Sequence, residues 1–80
     1  MTISTIDLEA TCDHLKELCI AKGYSVRKLQ KALGLGSTQA VYKWFNKKGL
    51  PSIDNLVIIA SLLGVTIDDI CVIQEVEIGA

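Results

Sequence analysis

Residues 25–46, SVRKLQKALGLGSTQAVYKWFN, decide how this chain reads: two short helices separated by a tight, glycine-marked turn. At about 100° per residue, a helix over 39–46 puts Gln39, Tyr42, Lys43 and Asn46 on one side and Ala40, Val41, Trp44 and Phe45 on the other. The second side is apolar. The first combines an amide that can donate and accept with a cation and a phenol, the chemistry that touches base edges and phosphates together. A solvated helix face more usually mixes Glu with Lys, although most amphipathic surface helices do no more than pack.

The preceding segment carries Val26, Leu29 and Leu33 at helical spacing, with Arg27, Lys28 and Lys31 on the opposite, wholly basic face. Ser25 suits an N-cap. Gly34 stands where a chain leaving a helix takes a positive φ that glycine adopts at little cost. The turn therefore falls at 34–36, and Ser37 or Thr38 caps the next helix, leaving free N–H groups and Gln39 at an end that favours phosphate. A helix, a tight turn and a second helix with a polar N-terminal end make the helix-turn-helix arrangement.

Charge sharpens this reading. The 80 residues carry a net charge of −1, which by itself argues against nucleic acid. From Leu18 to Ile53, however, there is no Asp or Glu, while Lys22, Arg27, Lys28, Lys31, Lys43, Lys47 and Lys48 give +7. The remainder sets Lys16 against nine acids, or −8. A positive face on an acidic body follows if the basic residues also gather in space; otherwise they are merely solvated.

Eighty residues, half of them hydrophobic, suffice for one folded domain with one core and leave no room for a second, catalytic one. Cys12, Cys19 and Cys71 form no C-x-x-C or Cys/His cluster, so neither a metal nor another cofactor is expected. Cys12 and Cys19 fall on the apolar side of a predicted helix and read as small buried hydrophobes in a reducing cytoplasm. His14 is a lone histidine with no catalytic partners. The opening MTISTIDLEA has none of the marks of a signal peptide, and 56–65 is too short and too interrupted to span a bilayer. A soluble, cytoplasmic protein is expected.

Around the central motif, Leu8, Cys12, Leu15, Leu18 and Cys19 predict a helix over 6–22, with Ser4 and Asp7 as a weak capping pair. Gly23 ends it, and Tyr24 is expected to pack under the turn. After the motif, NKKGLPS is a loop in which Pro51 stops the helix and Ser52 caps the next. Leu56, Ile59, Ala60 and Leu63 form the core face of a helix over 53–63, while Val57, Ile58 and Leu62 lie largely on its other side. Thr66 and Asp69 predict a capping box for a final helix over 66–72. In the tail, Val76 and Ile78 alternate with Glu75 and Glu77, a strand period; a lone strand must pair with something or fray.

The fragments LKELCIAKGYS, LQKALGL, STQAVYKW and LPSIDNLVIIASLLGVTIDDI, in that order and spacing, resemble the phage repressor/Cro family of helix-turn-helix regulators, also called the xenobiotic-response-element type. The likeness covers roughly residues 8–70. It implies an all-α, compact five-helix bundle of lambda-repressor-like type, with helices near 6–22, 25–33, 37–46, 53–63 and 66–72. Residues 1–70 would be the DNA-binding domain and 71–80 a tail, with a short C-terminal strand allowed. The third helix would be the recognition helix, making Thr38, Gln39, Tyr42 and Lys43 candidates for base or phosphate contact. Arg27, Lys28, Ser37 and Asn46 join the candidate DNA-binding set. Lys47 and Lys48 would face the DNA backbone, or else form an ordinary solvated loop. Two departures from the family are visible: Gln30 stands where many members have a small alanine, and the turn GLGS is one residue longer.

The function expected is a sequence-specific DNA-binding regulator, a repressor, working on double-stranded DNA as a homodimer through Val57, Ile58, Leu62, Val76 and Ile78. The alternative is a protein-interaction adaptor, an antitoxin or antirepressor that turns the same fold toward another regulatory protein. No phosphate loop, metal cluster or nucleophile–base set suggests an enzyme.

Overall fold

The computed structural model describes residues 1–79 and contains five helices and two strands, in the order β1 (Thr2–Ile6), α1 (Leu8–Ala21), α2 (Val26–Ala32), α3 (Gln39–Phe45), α4 (Ile53–Leu63), α5 (Ile67–Ile70) and β2 (Ile73–Glu77). Four of the five helices start at a side-chain cap. Ser25, Ser52 and Thr66 accept hydrogen bonds from the backbone N–H groups of Lys28, Asn55 and Asp69. Asp69 also accepts from the N–H of Thr66, closing the capping box, and hydrogen bonding to its carboxylate from the backbone and then the side chain of Thr66 holds that carboxyl below the usual range. Gly23, Gly34 and Gly64 take positive φ at the helix ends. The first helix departs from expectation: Ser4 lies in a strand, and Asp7 is the N-cap, accepting from the N–H of Ala10 at 3.1 Å.

One core joins the helices. Leu15 and Cys19 of α1, Leu29 of α2, Val41, Trp44 and Phe45 of α3, Leu56, Ile59, Ala60 and Leu63 of α4 and Ile70 of α5 are buried together. Fully burying a large aliphatic side chain contributes about 1.5–3 kcal/mol, so Leu15, Leu29, Ile59, Leu63 and Ile70 dominate the hydrophobic term. Cys12 and Cys19 are buried, and desolvation pushes the Cys19 thiol up to about 11, leaving it a protonated, inert core group near neutrality. Leu18, Tyr24 and Leu33 pack partly buried at the core's edge. No helix among the described residues is long and apolar enough to cross a membrane.

The fold is not purely helical. The tail strand has an intramolecular partner: β2 pairs antiparallel with β1, in a register running from Thr2 opposite Glu77 to Ile6 opposite Ile73. Met1 and Thr2 clasp the Glu77 carboxylate, the terminal ammonium at 2.8 Å and the Thr2 hydroxyl at 2.7 Å. Thr11, fully buried on α1, anchors the ribbon at its other end. Its hydroxyl accepts from the N–H of Val72 at 2.9 Å and donates to the Val72 carbonyl at 3.3 Å, a carbonyl that also accepts from the N–H of Asp7. The strand that the tail's alternation predicts therefore finds its partner within its own chain. Ala80, at the end of the expected tail, lies outside the described residues.

The ribbon makes the molecule long. Its extents are 46 × 24 × 20 Å, and its radius of gyration of 13.5 Å exceeds the roughly 12 Å of a compact chain this size. Every residue of β2 is exposed.

Candidate nucleic-acid interface

The polar side of α3 is created by burial of the other side. Val41, Trp44 and Phe45 are locked into the core, and helical geometry then turns Gln39, Tyr42, Lys43 and Asn46 outward, all four exposed. Arg27 and Lys28 on α2, and Ser37 in the turn, are exposed as well; Thr38 is half-buried. At the start of α3 the geometry chooses between the two cap candidates. Thr38 occupies the N-cap position but makes no side-chain capping bond, whereas the Ser37 hydroxyl accepts from the N–H of Gln39 at 3.4 Å.

Both departures from the family pattern meet in one contact. The Gln30 side-chain amide donates to the Leu35 carbonyl at 2.7 Å, while the Leu35 N–H donates to the Gln30 carbonyl at 3.0 Å. A small residue at 30 could not cross the longer turn. Gln30 does, and thereby fixes where α3 starts relative to α2.

The loop after α3 is held against α1. Lys47 has a φ of 62° at the helix C-terminus, where Lys48 N–H returns to the Lys43 carbonyl at 2.9 Å. A non-glycine residue in the left-handed region costs about 1–2 kcal/mol. Lys47 offsets part of that through its ammonium, 3.3 Å from Asp13 of α1, in an exposed ion pair. Beneath, the Cys12 thiol donates to the Gly49 carbonyl at 3.4 Å. A Cβ at Gly49 would stand 2.7 Å from Cε of Lys43, the flexible end of a side chain that passes over the loop and can shift aside.

The sequence did not mark Asp13 or Gly49 as parts of this surface. Their roles follow from the loop folding back on α1, which local patterning does not reveal. Among the described residues, Lys47–Asp13 is the only ion pair between side chains, so Arg27, Lys28, Lys43 and Lys48 carry charge that no carboxylate within 4 Å neutralises.

A helix-turn-helix family model matches residues 15–70, from the middle of α1 to the end of α5. The chain belongs to the Cro/C1-type helix-turn-helix family. It is a DNA-binding transcriptional regulator by family. Among solved structures it is similar to the restriction-modification controller protein C.AhdI from Aeromonas hydrophila, with 26% identity and a TM-score of 0.70, covering 80% of this chain and 96% of that one. It shares its fold with the hypothetical transcription factor NHTF from Neisseria, at 24% identity and a TM-score of 0.68, covering 82% and 76% of the two chains. No curated protein matches it.

The apolar residues assigned to self-association divide. Val57 and Ile58 are exposed, joined on the outside of α4 by Ile53, and Val76 and Ile78 are exposed on and beside β2. Leu62 departs from them: it is half-buried against the core. The reason is angular, since Leu62 lies about 60° around the helix from buried Ile59, whereas Val57 lies about 160° away.

Proposed function

We propose that this regulator is a repressor that binds double-stranded DNA as a homodimer, with α3 in the major groove. The observation that carries the reading is the outer side of α3, where Gln39, Tyr42, Lys43 and Asn46 stand free while the opposite side is buried. Gln39 reads a base through its paired donor and acceptor, Lys43 meets a base or phosphate, and Thr38 and Ser37 flank them at the helix start. Arg27, Lys28, Lys47 and Lys48 neutralise backbone phosphates on either side. Repression follows from occupancy of promoter DNA, in keeping with the likeness to a restriction-modification controller protein. Two copies would read half-sites about 34–36 Å apart, one helical turn, which gives so small a module its specificity.

Salt titration of binding tests the reading. The slope of log K against log salt is about −0.9 for each phosphate neutralised, so Lys48→Ala and Arg27→Ala should each reduce it by about one unit while weakening all sequences alike. A slope near zero would instead favour the adaptor reading, to which one observation speaks: Ile53, Val57 and Ile58 form an apolar surface on α4.

A further inference from the structure

We propose that two copies of this chain join through the free edge of β1, forming a four-stranded sheet in the order β2-β1-β1-β2. This rests on the homodimer proposed above and gives it an interface. An isolated two-stranded ribbon is marginal in water, and three or more strands are needed for independent stability. The β1–β2 ribbon is tied to α1 at one end through Thr11 and has no third strand on either edge, which leaves two edges that could accept another strand.

Backbone geometry identifies the outward groups. The N–H of Ile78 donates to Met1 at 2.7 Å and that of Asp7 to Val72 at 2.8 Å, which marks the pairs at both ends of the ribbon as hydrogen-bonded. Antiparallel ladders alternate, so Ile3 with Val76 and Thr5 with Gln74 are also bonded pairs. Thr2, Ser4 and Ile6 therefore turn their N–H and C=O groups to the open edge of β1, and Ile73, Glu75 and Glu77 turn theirs to the open edge of β2.

Charge then separates the edges. The antiparallel register that uses all the outward groups of β2 sets Glu75 of one copy directly against Glu75 of the other, and like charges in that position repel. The corresponding register of β1 centres on Ser4. It pairs Ser4 with Ser4 and Thr2 with Ile6 across a two-fold axis, with no charge in the strand. TISTI contains no Pro, Lys or Glu, the residues that ordinarily guard an edge, and four of its five residues are β-branched. The same pairing brings Ile3 and Val76 of both copies onto one face of the sheet.

Sedimentation equilibrium of the full chain at tens of micromolar, with Ser4→Pro and Glu75→Pro, tests this. Proline at 4 removes only the outward N–H and spares the bonds to β2, while proline at 75 does the same to the other edge. The wild type should be a dimer, Ser4→Pro should weaken it at least about tenfold, and Glu75→Pro should leave it unchanged. Ser4→Lys should match Ser4→Pro, and a mixed-labelled wild-type sample should show an intermolecular Hα–Hα NOE between Ile3 and Thr5. An undiminished Ser4→Pro and Ser4→Lys dimer, or absence of that NOE, overturns the β1 interface but leaves the homodimer standing. A monomeric wild type overturns both.

Discussion

Gln30 and Leu35 bond to each other twice, once through the backbone and once through the glutamine side chain, and so span the turn between α2 and α3. The side-chain bond is part-buried and short. Gln30→Ala should lower stability by about 0.5–1.5 kcal/mol, the usual net value of such a bond. Gln30→Glu should cost more, because an ionised carboxylate cannot donate to the Leu35 carbonyl and would face it instead. Urea denaturation of the three proteins gives the ranking; equal stability of all three would show that the turn stands without Gln30.

Asp13 pairs with Lys47, a cation of the proposed phosphate-binding set. The pair is exposed, so its loss should change stability by less than about 1 kcal/mol. Asp13→Asn frees Lys47 and removes a negative charge beside the DNA path. Affinity for DNA should rise, because Lys47 no longer has to leave a carboxylate to meet its phosphate, while the salt slope, set by the number of phosphates neutralised, should stay the same. Fluorescence anisotropy across a salt series measures both.

Thr11 ties the ribbon to α1 through Val72. In Thr11→Val the shape is kept, but the N–H of Val72 loses its partner, at a cost of about 1–3 kcal/mol for an orphaned buried group. The Val72 carbonyl still accepts from Asp7. Thr11→Ser keeps the hydroxyl and should lose less. Amide exchange should quicken along both strands in the valine variant and much less in the serine one.

The helices could be read from the chain because their signals are local. Ser25, Ser52, the Thr66–Asp69 box and the glycines at 23, 34 and 64 each act within a few residues of themselves, and they set helix ends within two residues of those expected. The outward set on α3 follows from the same periodicity. β1 could not be read that way. TISTI carries a β-branched composition, but its partner lies about seventy residues away and pairing is a long-range event that periodicity does not encode. The same holds for Asp13 with Lys47 and Gly49 with Lys43, contacts made only once the loop returns to α1.

Selection of bound DNA from a random pool, run in parallel for the wild type and Gln39→Ala, shows whether the outer side of α3 reads DNA sequence. The wild type should select a two-fold symmetric site. The variant should show a preference relaxed at one base pair in each half-site, with about 1–3 kcal/mol lost on the wild-type sequence and little change on random DNA. Recovery of the same site by both proteins, with equal affinity, would contradict that readout.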